Sequence, residues 1–164
     1  MKFLVKNNYL YTENSSYRCS IGLGGVTKEK MEGDHCTPVG EYKFDKIYYR
    51  ADKLGKINFL ISSAIISHLD GWCDDPDDKS YNQYIQFPFA GSAEKLFRED
   101  DLYDIVCVMN YNTKPIQPGR GSAIFLHVCK DDFSHTEGCI AVEKEVLIKI
   151  SKQITSNTSI IIES

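Results

Sequence analysis

His127, Cys129, His135 and Cys139 fall within thirteen residues of one another in the stretch FLHVCKDDFSHTEGC. Side chains of these types support three different chemistries. A cysteine with a neighbouring histidine makes a nucleophile, because only the thiolate attacks and a paired imidazole lowers the thiol pKa. Cys139 suits that role, with His127 as its base. Gly138 just before it permits close backbone approach, and the N–H groups of Gly138 and Cys139 would face a developing oxyanion. The same four residues also form an HxC…HxxxC set, and four nitrogen and sulfur ligands are what tetrahedral zinc takes. The two HxC side chains are expected to diverge across the strand, so no metal is expected. The third reading is a buried strand followed by a solvated turn around Asp131 and Asp132. At this spacing a His–Cys pair is more often structural than catalytic, and the pattern alone leaves the choice open.

These residues need a rigid frame. SAIFLHV and DIVCVMN are continuous apolar runs rich in β-branched residues, as in central strands. KFLV, YLYT and YRCSIG read as short strands separated by turn-prone KNN and ENSS. VGEYKFDKIYYR alternates, as a half-buried strand does, and NFLISSAII is expected to be another. The polar segment HLDGWCDDPDDKSYNQY, 68–84, reads as a long loop, and SAEKLFREDDLY, 92–103, as a short helix with Ser92 as N-cap. EKEVLIKISKQI places Val146, Leu147, Ile150 and Ile154 on one helical stripe, and SIIIE closes the chain as a strand. The expectation is one domain over 1–164, mainly β with a few short helices.

Composition excludes some classes of function. The 164 residues carry a net charge of −4, with lysines and arginines scattered singly, so no nucleic-acid partner is expected. No apolar run approaches the ~20 residues of a membrane span. The first residues lack a secretory apolar region, so no leader is expected. The six cysteines are irregularly spaced without a CxxC, which favours mostly free thiols. His35 and His68 stand at no recognised ligand spacing and read as solvated loop residues. GLGG at 22–25 reads as a tight turn.

AIFLHV followed by TEGCIAV resembles the catalytic signature of the YkuD-type L,D-transpeptidase family, a strand-borne His followed by [ST]-x-G-C. EGDHCTPVGEYKF is similar to the family's TPxG stretch. GWCDDPDDKSYNQ, LFREDDLYDIVCVMNYN and PGRGSAIFLHV resemble a short bacterial branch, and together the pieces cover most of residues 20 to 145. The resemblance implies a YkuD-like β-sandwich domain. It also implies a Cys139 nucleophile and a His127 base, the imidazole oriented by a main-chain carbonyl. The implied reaction is acyl transfer on peptidoglycan stem peptides in the periplasm or cell envelope, without a cofactor. Hydrolysis by an L,D-carboxypeptidase or amidase of the same fold is the alternative, as is a non-catalytic binding or zinc-stabilised domain. Trp72 would supply an apolar wall for the stem peptide and Arg120 a clamp for a substrate carboxylate. The chain departs from the broader pattern in having Glu137 where many members have the His of SHGC. Ala141 also replaces an Arg two residues after the Cys, and the loop from His to Cys is shorter.

Overall fold

Every residue of Ile105–Met109 is apolar, and the fold uses both faces of that strand. Ile105, Cys107 and Met109 point into one core, Val106 and Val108 into a second. A computed structural model describes residues 1–164. The first half of the chain forms strands β1 (Lys2–Lys6), β2 (Tyr9–Tyr11), β3 (Ser16–Ser20), β4 (Val26–Thr27), β5 (Thr37–Pro38) and β6 (Gly40–Tyr49). Helix α1 (Ala51–Leu54) precedes β7 (Ser63–Ile65), β8 (Asp70–Cys73), β9 (Tyr84–Gln86) and β10 (Ala93–Lys95). Then come β11 (Ile105–Met109), β12 (Phe125–Val128), β13 (Ile140–Val142), helix α2 (Lys144–Ser151) and β14 (Ser159–Ile162).

The strands make a sandwich whose two layers are joined by shared strands. One layer contains β2, β1 and β14, the other β11, β12 and β13. Strand β6 belongs to both: Gly40–Lys43 pair with β14, and Phe44–Tyr49 pair with β11. The register slips between Val108 and Met109 at this transfer, as a β-bulge does where a strand bends. Strand β3 makes the opposite corner, Ser16–Arg18 against β2 and Cys19–Ser20 against β13. Phe3, Val5, Leu10, Phe44, Ile47, Leu126 and Ile140 fill the space between the layers. Helix α2 closes one end with Leu147 and Ile150, and Ile154 beyond it is also fully buried. Burying each such side chain contributes about 1.5–3 kcal/mol.

A separate antiparallel sheet, ordered β10-β8-β9, accompanies the second core. Trp72, Leu96, Tyr103 and Phe125 pack there with Val106 and Val108.

Three local expectations are corrected. Residues 92–103 contain no helix: Ala93–Lys95 pair with β8, and the following residues turn. Ala93, Leu96 and Phe97 have helical spacing, but pairing with β8 overrides it and leaves Leu96 fully buried. The stretch 68–84 is not a bare loop, because Asp70–Cys73 form β8 and Tyr84 opens β9. Asp70 anchors it, accepting from Ser67 N–H and Oγ and from the Tyr84 hydroxyl. Within NFLISSAII only Ser63–Ile65 is strand.

Candidate active site

The parallel pairing of β12 with β13 brings the signature together. Leu126 stands opposite Ile140 and His127 opposite Ala141, so Cys139 comes level with Phe125. Alternation then puts Phe125, His127 and Cys139 on one face, away from the inter-layer core that takes Leu126 and Val128. His127 and Cys139 are both buried and line the same cavity of about 480 Å³.

The turn before Cys139 is organised by Thr136. Its Oγ1 donates to the Cys139 carbonyl at 2.6 Å and accepts from Gly138 N–H at 3.1 Å. Gly138 has φ 136°, and a Cβ there would lie 2.8 Å from the Cys36 carbonyl oxygen. Glycine is therefore required for both its conformation and its contact. Thr136 thus occupies the Gly138 N–H, one of the two donors expected to face an oxyanion.

The hydrogen bonds of Cys139 and His127 run to the backbone. The Cys139 thiol donates to the Ala123 carbonyl at 3.1 Å, and Sγ accepts from Phe125 N–H at 3.3 Å. His127 Nδ1 lies 2.8 Å from the Val128 carbonyl oxygen, an acceptor that selects the Nδ1–H tautomer and leaves Nε2 as the basic nitrogen. Burial pushes the Cys139 thiol up to about 12, with the Glu94 carboxylate adding to the effect and Phe125 N–H opposing it. Burial pulls the imidazole down to about 4 against the Val128 carbonyl. Both groups are thus neutral at rest, whereas the sequence led to the expectation that the imidazole lowers the thiol pKa.

Charged groups line the cavity. Tyr103 donates to Glu94 at 2.7 Å, and its ring meets His127 edge-on with centroids 5.3 Å apart. Burial raises the Glu94 carboxyl. Glu32 accepts from the Tyr81 hydroxyl and, at 2.8 Å, from Ser122 Oγ. The almost fully buried Lys30 ammonium sits 2.5 Å from Asp34. The imidazole of His35 is joined to Glu137 in the turn before Cys139. Sequence reading missed Lys30, Glu32, Glu94, Tyr103 and this use of His35. Their signal was present only as unexplained polar positions inside otherwise recognisable segments.

Other expected residues lie elsewhere. Trp72 is 7% exposed and faces away from the cavity; it packs edge-on against Phe125 at 5.2 Å and donates through Nε1 to Asn82 at 3.0 Å. It supports β12 from behind and does not line this cavity. Arg120 is exposed at a separate shallow depression beside Lys28 and Tyr111, 3.9 Å from Glu29, so it does not clamp a group held at Cys139. Both misplacements arise because the backbone turns between these residues and the strand. Cys129 and His135 share the cavity lining with His127 and Cys139. Positions two apart on a strand share a face, so divergence across the strand is not what separates the HxC pair. No three His, Cys, Asp or Glu side chains gather closely enough to hold an ion. All six cysteines are free thiols.

The fold and this arrangement define a class. A family model described as YkuD, L,D-transpeptidase catalytic domain, matches residues 3–162, and the chain belongs to that family. Its enzymes act on peptidoglycan and are typically found in the cell envelope. Comparison with curated proteins found no match. No helix is long and apolar enough to cross a membrane.

Proposed function

We propose that the protein is a cysteine acyltransferase of peptidoglycan stem peptides, with Cys139 as nucleophile and His127 as general base. The observation that carries this reading is the placement of both side chains on one face of the β12–β13 pair, in one cavity. Sγ attacks the carbonyl carbon of the residue at the L-centre, and the thiol proton passes to Nε2 of His127. The tetrahedral oxyanion is met by the Cys139 N–H. Collapse breaks the bond to the terminal D-amino acid, whose amine takes the proton from the imidazolium and departs, leaving a thioester on Cys139. An amine from a second stem then attacks the thioester to form a cross-link, or water attacks to complete hydrolysis. His127 takes that proton too, and the thiolate recovers it as it leaves.

Because the thiol sits near 12 and the imidazole near 4, a standing ion pair is disfavoured. Proton transfer therefore accompanies attack, as general-base catalysis allows. The test is mass spectrometry of tetrapeptide-stem muropeptides incubated with the protein. Wild type is expected to release terminal D-residues and form cross-linked or trimmed products, and Cys139→Ser to form none because a hydroxyl is far less acidic. Product formation by a folded Cys139→Ser variant would overturn the assignment.

A further inference from the structure

The GWCDDPDDKSYNQ stretch contains Trp72, Tyr81 and Asn82, none of which lines the catalytic cavity. All three nevertheless bear on the segment that holds the nucleophile's proton. Gly121 N–H donates to the Tyr81 hydroxyl at 3.0 Å, and Ala123 N–H donates to Asn82 Oδ1 at 3.0 Å. The same Oδ1 accepts from Trp72, while Asn82 Nδ2 donates to the carbonyls of Tyr111 at 3.0 Å and Asn112 at 2.8 Å. Asn82 is 4% exposed and its amide is fully occupied.

What it holds is an unusual backbone. Ala123 has φ 52°, a left-handed conformation that a residue with a Cβ rarely takes unless its surroundings impose it. That conformation aims the Ala123 carbonyl at Cys139 Sγ. Phe125 N–H, the other partner of Sγ, belongs to β12 and is fixed by pairing with Val108. The acceptor of the thiol proton thus depends on the Asn82 clamp, and the donor to the sulfur does not.

We propose that Asn82 is a positioning residue that, through Ala123, sets where the Cys139 proton rests and hence the pH at which the nucleophile becomes available. The inference rests on Cys139 being the nucleophile. A hydrogen bond to the neutral thiol favours the protonated form, so releasing the carbonyl favours the thiolate. The other titratable and charged groups that line the cavity with Sγ are Lys30, Glu32, His35, Asp74, Glu94, Lys95, Arg98, Tyr103, His127, Cys129, Lys130, His135 and Glu137. None is altered by the variants below.

The experiment is alkylation of the folded protein by iodoacetamide across pH, following the Cys139 peptide by mass spectrometry. In Asn82→Ala the step in rate is expected about one pH unit below wild type, a roughly tenfold rise in thiolate at a given pH. Ala123→Gly provides the second arm, since glycine takes φ 52° freely and keeps the fold while letting the carbonyl swing. It is expected to shift the step in the same direction. A wild-type profile in folded Asn82→Ala would overturn the inference, as would one in Ala123→Gly should Asn82→Ala not fold. Stem-peptide turnover by Cys139→Ser tests the nucleophile separately, so the two readings fail on different measurements.

Discussion

His127 shows what the site demands of a single side chain. Its ring is buried and held by the Val128 carbonyl, and its pKa falls from 6.5 to about 4. Between those values the unfolded chain binds a proton that the folded chain refuses, so stability falls as pH drops from 6.5 toward 4. The full shift corresponds to up to about 3 kcal/mol. His127→Gln removes the titration, and its melting temperature should change less between pH 7.5 and 4.5 than wild type's. Identical pH dependence in the two proteins would contradict a buried neutral imidazole. In the proposed reaction the same neutrality would leave His127 a weak but available base for a thiol that loses its proton as it attacks.

At the scale of elements, the position of Cys139 depends on two chain segments passing very close together. The turn 136–138 lies against residues 34–37, with Gly138 facing the Cys36 carbonyl and Gly22 facing that of His35. Strand β13 is only three residues long, so this contact adds to the β12–β13 register in holding Cys139 level with Phe125. Gly138→Ala would add a Cβ at 2.8 Å from a backbone oxygen and force a side chain into φ 136°. The expected cost is about 2–3 kcal/mol, a fall of roughly 4–12 °C in melting temperature for a chain of this size. Activity should fall further than stability, because the shift acts directly on the nucleophile. A calorimetric melt unchanged in Gly138→Ala would show that the turn yields freely.

Across the whole molecule, one buried charge ties both helices to the catalytic layer. Asp104 is fully buried just before β11 and meets Lys144 of α2 at 2.6 Å and Lys53 of α1 at 3.0 Å. Asp101 meets the same two ammonium groups from the surface. Removing the buried partner strands two lysines that water and Asp101 still reach, so the loss stays below that of a fully enclosed pair. Asp104→Asn is expected to destabilise by about 2 kcal/mol in urea unfolding, and Lys144→Met by no more than about 1 kcal/mol, because Lys53 still pairs with the buried carboxylate. A larger loss from Lys144→Met than from Asp104→Asn would reverse this account. Both variants should retain alkylation of Cys139, since the cluster lies outside the cavity.

How much of this was legible in the residues depends on the range of the interactions involved. The β-rich architecture followed from local alternation and apolar runs, and the α2 stripe of Leu147 and Ile150 from helical spacing. The order of AIFLHV and TEGC identified the family from the chain alone. The strand pairing of Asp70–Cys73 with Ala93–Lys95 was illegible, because polar, glycine-containing strands are made by their neighbours. The bond between His35 and Glu137 spans 102 residues, and no local pattern announces it. Trp72 and Arg120 had suitable chemistry for a ligand, but only the turns of the backbone decide which way a loop side chain faces. The thiol's resting partner is likewise a carbonyl, a group every residue carries. Its choice of Ala123 is written in a backbone angle and a distant amide, and those exist only once the chain has folded.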